Sequence, residues 1–92
     1  MQSGNLTVTG NNSVRIPLLG RPREVFCHFR HEHEPVPCNP HHQDHLEYKV
    51  ESVDEDLHIH IRIDHHHHDR QFVLVIKWNV VGVREIEWLV VY

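Results

Sequence analysis

The sequence predicts an all-β domain, and three observations carry that prediction. Thirteen Val and six Ile stand against no Ala; β-branched side chains favour strands, whereas Ala is the strongest helix former. Strict apolar–polar alternation recurs along the chain, and no segment shows the i, i+3, i+4, i+7 stripe of an amphipathic helix. Gly, Asn and Pro clusters separate the alternating segments where turns are needed. Ninety-two residues fit one domain, residues 1–92, whose thin core would gain from association with other subunits.

In chain order the expected strands are Asn5 to Thr9, Ser13 to Leu18, Glu24 to Arg30, Leu46 to Val53, Leu57 to Asp64, Phe72 to Val80 and Arg84 to Tyr92. Gly10-Asn11-Asn12 and Gly20-Arg21-Pro22 read as the turns between the first three. About seven short strands at this spacing predict an antiparallel β-sandwich of immunoglobulin-like build. Side-chain matching registers two hairpins. In the first, Val50 faces Ile59 and Tyr48 faces Ile61, which sets Glu47 beside Arg62 and Glu51 beside His58. A slip of one residue would bury those charges, so the register is well specified. The last hairpin is expected to fold around Gly82, pairing Ile76 with Trp88, Trp78 with Ile86 and Lys77 with Glu87.

The open end of that hairpin breaks the alternation of a half-solvated strand pair. Phe72, Leu74, Val90 and Tyr92 form one apolar face, and Val73, Val75, Leu89 and Val91 form a second. Two readings fit: the N-terminal segment covers the second face, or Val73, Val75, Leu89 and Val91 are an interface with another subunit.

Residues 31–45 carry three prolines and almost no apolar side chain, and read as one long His/Pro-rich loop of the kind that often carries function. Cys27 and Cys38 are separated by ten residues. Cys27 lies in an apolar run and reads as a buried small hydrophobe, and whether the two pair is open. Residues 1–5 lack the features of a secretory signal, and no apolar run reaches the roughly 18 residues of a membrane-spanning helix. The expectation is a chain that stays where it is made and binds no membrane.

Formal net charge is −4 with pI about 6.3, and twelve His could carry it, at twelve further protons, to +8. Nucleic-acid binding at neutral pH is not expected, because phosphate contact needs clustered Lys and Arg. The histidines themselves raise metal binding, with zinc or iron as the ion. His58 and His60 project from one strand face, as alternate side chains must. His31 and His33 do so only if the third strand continues past Arg30. Within the loop His33, Cys38, His41 and His45 have donor spacing suited to zinc, while His65 to His68 read as a solvated turn. The bland alternatives are a polar strand face and a solvated loop. A metal-binding module stabilising an oligomer is therefore the alternative function, and protonation of so many imidazoles near pH 6.5 is a further route to regulated association.

No catalytic constellation is expected. Cupin oxygenases place His-x-His on small barrels, but their pattern needs a Gly five residues before the first His, which neither His-x-His here has. Ser3, Ser13 and Ser52 lie in no nucleophile elbow. The His-x-His pairs on strands do resemble the metal motif of tailed-phage fibres and spike tips, where three chains each offer the pair to one iron. Carried over, that resemblance implies His58 and His60 as ligands, with His31 and His33 second. The short all-β chain as a whole resembles small accessory proteins of phage particles. It implies a non-enzymatic virion component, such as a capsid decoration or a tail or fibre accessory, assembled in the host cytoplasm and acting on other virion subunits.

Overall fold

The computed structural model describes residues 1–30, 44–54 and 70–92. It contains β1 (Gln2–Pro17), β2 (Glu24–Phe29), β3 (His45–Asp54) and β4 (Arg70–Val91), with no helix among the described residues. They form one antiparallel four-stranded sheet centred on β4. β1 pairs with β4 along nearly its whole length on one side, from Gln2 opposite Val90 to Pro17 opposite Val73. On the other side β2 and β3 lie end to end, Glu24 opposite Val91 and His45 opposite Asn79.

A straight strand of this length would hold the ends of β1 about 50 Å apart. Instead the Gln2 side-chain amide donates to the Pro17 carbonyl at 3.4 Å. Leu19 N–H, just beyond β1, donates to the Tyr92 hydroxyl at 2.8 Å, and that hydroxyl donates to Gln2 Oε1. The β1–β4 ribbon therefore doubles back on itself. Its corner lies where Gly10 alone stands against Val80, Val81 and Gly82. Gly10 and Gly82 have φ of 65° and 76°, the only positive φ values among the described residues, and this backbone region is costly for any residue with a Cβ. The indole N–H of Trp78 donates to the Thr9 carbonyl at 3.1 Å and pins the corner from inside.

Alternation then decides what is buried. Leu74, Ile76, Trp78 and Val80 from one half of β4 join Ile86 and Val90 from the other, with Val8, in a single cluster. Leu74, Ile76, Ile86 and Val90 are wholly shielded. Full burial of such side chains is worth roughly 1.5–3 kcal/mol each. Gly4 has a separate role: it faces Trp88 across the β1–β4 pair, and a Cβ there would stand 2.8 Å from the indole ring. Gly within a strand marks such a close approach.

Two expectations change here. The strands expected at Asn5 to Thr9 and Ser13 to Leu18 are halves of β1, with Gly10-Asn11-Asn12 lying within the strand and not in a connecting turn. The hairpin around Gly82 does not form, because Phe72 to Tyr92 is essentially one bent strand. Ile76 faces Val14 and Tyr48, Trp88 faces Gly4 and Cys27, and Lys77 faces Ser13 and Glu47. The physical reason is Val80-Val81-Gly82-Val83: a tight hairpin turn favours Gly paired with Asn, Asp, Ser or another Gly, whereas the β-branched neighbours of Gly82 favour extended backbone. The β3 register with β4 sets Tyr48 against Ile76 and Val50 against Leu74. The hairpin partner expected for β3, Leu57 to Asp64, lies outside the described residues.

Replacing Gly82 by Val, with its positive φ and open surroundings, is expected to cost at least about 1 kcal/mol through backbone strain. Gly4→Ala, at an ordinary φ, is expected to cost about 1–3 kcal/mol through collision with Trp88. Urea denaturation of the two variants measures both, and an unchanged midpoint for either would contradict the assigned role.

Candidate functional site

The doubled sheet has two outer faces. The first belongs to β2, the end of β4 and the start of β1. Here Phe26 lies across from Leu89, His28 across from Glu87, and Arg30 beside Glu85. His28 Nε2 is 3.1 Å from Glu87, and the Arg30 guanidinium lies 3.3 Å from Glu85 and 3.6 Å from Glu87. These partly solvated pairs contribute little to stability. Beside them the face turns apolar: Phe26 is 47% exposed and lies next to half-buried Leu89, with Val91 beyond. Ser3 and Asn5 are small neighbours on β1, so a shallow cleft opens between Ser3, Asn5, Phe26, His28, Glu87 and Leu89.

The second outer face is ionic. Glu51 accepts from Arg15 at 3.0 Å and pairs with Lys49 at 2.9 Å. The Lys49 hydrogen bond is the leading reason its carboxyl titrates below the usual range, with Arg15 reinforcing it. Glu47 is likewise lowered, first by its hydrogen bond with His45 at 2.7 Å. Val73 and Val75 lie between these side chains, Val73 flanked by Pro17 and Glu51, Val75 by Arg15 and Lys49. Val73 retains only 9% exposure, while Val75 is half-buried and lines a cleft on this face.

The four residues expected to form one interface thus divide. Val73 and Val75 lie on the ionic face, Leu89 and Val91 on the other face beside Phe26. The N-terminal segment expected to cover them lies beside β4 instead, as a paired strand. Of the expected metal donors, His45 alone is described, and it is engaged with Glu47. His31, His33, Cys38, His41, His58 and His60 lie outside the described residues. Among the described residues no group of three or more His, Cys, Asp or Glu side chains converges on a common point. Cys27 is a free thiol, half-buried against the core and pushed by burial from 9.0 to about 11, in keeping with its reading as a small hydrophobe.

Three contacts at the corner join residues from separate strands. Asp44, at the entry to β3, accepts from Val81 N–H at 3.2 Å and lies 2.7 Å from Arg84 Nε, an ion pair at the corner of β4. The Arg84 guanidinium also stacks 5.6 Å from the centre of the Phe29 ring, a cation–π arrangement. This lock ties the start of β3 and the end of β2 to the corner. Its residues are too far apart in sequence for local pattern to join them. Gly4 did carry a readable signal, a glycine interrupting alternation.

No protein-family model matches the chain, and neither a curated protein nor a solved structure is similar to it.

At pH 8 the Cys27 thiol is expected to remain protonated and to react with iodoacetamide far more slowly than an unfolded control. As pH rises from about 9 toward 11 the unfolded chain loses this proton before the folded one, so stability falls across that window. Alkylation at the rate of the unfolded control would show that the thiol is not shielded.

Proposed function

We propose that this chain is a non-enzymatic structural protein that works by binding other protein subunits, with a two-layer β-sandwich as its working form. The observation that carries this reading is the apolar strip on the first outer face. A half-solvated sheet has polar side chains on its wet side, yet Phe26, Leu89 and Val91 occupy it next to a cleft with a polar rim. Apolar core and polar rim together are the composition of a protein interface. The opposite face carries ion pairs around a cleft lined mainly by Ser13, Glu47, Lys49, Glu51 and Lys77, and this charged lining has the character of a surface that stays in water. The setting we propose is a tailed-phage particle, in which a small β unit decorates the capsid or joins tail and fibre parts. That setting rests on the likeness in sequence character and on the His-x-His pairs.

Particles purified by density gradient from producing cells are expected to contain the chain, detected by mass spectrometry. Phe26→Asp is expected to leave the unfolding transition nearly unchanged, since Phe26 is an exposed face residue, while releasing the chain from its particle. A wild-type chain that stays wholly outside particle fractions, and sediments as a monomer in every mixture of particle proteins, would overturn the proposal.

A further inference from the structure

The first half of β1 is an open sheet edge of unusual composition. Arg30 N–H donates to the Glu85 carbonyl at 2.9 Å, so the backbone groups of Glu85, Glu87 and Leu89 turn toward β2. Backbone groups alternate sides along an antiparallel strand, so those of Ile86, Trp88 and Val90 turn toward β1. Their partners Leu6, Gly4 and Gln2 therefore spend their own groups on β4. The N–H and C=O groups of Ser3, Asn5 and Thr7 point away from the sheet, and among the described residues β1 pairs only with β4. Thr9 is different: its carbonyl already accepts from Trp78 and from the Asn12 side chain.

Such an edge is a template for another strand, and proteins usually blunt it with charge or proline. The second half of β1 has both, Arg15 and Pro17. β2 carries Glu24 and His28, and β3 carries His45, Glu47, Lys49 and Glu51. From Gln2 to Thr9 there is no charged residue and no proline.

We infer that this edge pairs antiparallel with the same edge of a second copy of the chain, about a two-fold axis through Asn5. The inference rests on the subunit-binding reading and names a second copy as one of the subunits. The register follows from two constraints. Residues opposite each other in an antiparallel pair share a face, so the axis passes through a residue and not between two. Centring it on Asn5 uses the free groups of Ser3, Asn5 and Thr7 completely and asks nothing of Thr9. Ser3 then meets Thr7 of the partner subunit and Asn5 meets Asn5 of the partner subunit on the wet face. On the inner face Gly4 meets Leu6 of the partner subunit, small against large. An identical strand sets each residue against its own stretch, so a like charge near the axis would be self-defeating; the neutral run suits this partner in particular. The two-fold contact closes on itself and joins the two half-sheets into one continuous layer.

Sedimentation velocity over a concentration series tests this on the whole chain. The wild type is expected to form a dimer. Asn5→Lys sets two ammonium groups opposite each other at the axis and is expected to weaken the dimer about tenfold or more. Added salt should restore much of that loss by screening, a recovery that misfolding would not give. Thr7→Lys is the matched control. Asn5 and Thr7 lie on the same face and each neighbours a glutamate on β4, Glu87 and Glu85. Its lysine meets Ser3 of the partner subunit, so the dimer is expected to weaken only a few-fold. A wild-type monomer at every concentration overturns the inference, as does a dimer indifferent to Asn5→Lys or equally sensitive to Thr7→Lys. If the chain still enters particle fractions in those cases, the subunit-binding reading stands without this partner.

Discussion

The corner at Gly10 and Gly82 is the constraint from which the rest of the structure follows. A long two-stranded ribbon has one apolar face and nothing of its own to bury it against. Two positive-φ glycines, one on each strand, let the ribbon turn at a bulge where the β1–β4 register shifts, and pairing resumes on either side of it. Apolar side chains from both its halves then meet in one core cluster. Three separate devices hold that arrangement: Trp78 bonded to the Thr9 carbonyl inside the bend, Asp44 paired with Arg84 where the start of β3 meets the corner, and the Gln2–Leu19–Tyr92 cluster where the far ends meet. The last of these joins parts of the chain that would be about 50 Å apart in a straight ribbon.

The strand content of this fold was legible in the sequence because side-chain period is a local property. Glu24 to Arg30 and Leu46 to Val53 agree with β2 and β3 nearly to the residue, and the burial of Leu74, Ile76, Ile86 and Val90 follows their alternation. Connectivity was less legible. Around Gly82 the apolar and ionic matches Ile76–Trp88 and Lys77–Glu87 satisfy a hairpin as well as they satisfy anything else. Pairing rules score neighbours but do not say which neighbours the topology will supply. The decisive information lay in the turn chemistry: a lone glycine among valines bends a strand more readily than it reverses one.

The surface shows the same division. An apolar second face at Val73, Val75, Leu89 and Val91 was visible as a break in alternation. That the fold would send its two halves to opposite sides depended on the corner. Arg15, Lys49 and Glu51, which flank the valines, come from strands distant in sequence, and their convergence appears only when both are paired with β4. Phe26 falls within the alternation of Glu24 to Arg30, which by itself does not set it apart. Its exposure beside Leu89 gives the outer face its character.

β4 also imposes an order in time. Every other described strand pairs with it, and it is the last of them in the chain. During synthesis β1, β2 and β3 emerge before the strand they need, and the pairing of Gln2 with Val90 closes almost the largest loop the chain allows. Loop closure of that span makes native pairing slow relative to local contacts. Until β4 leaves the ribosome, the uncharged first half of β1 has both edges open, and nascent copies on one message would hold such segments close together. A molecule built this way has a folding window in which crowding and chaperone supply decide its yield, whatever the stability of the finished sheet.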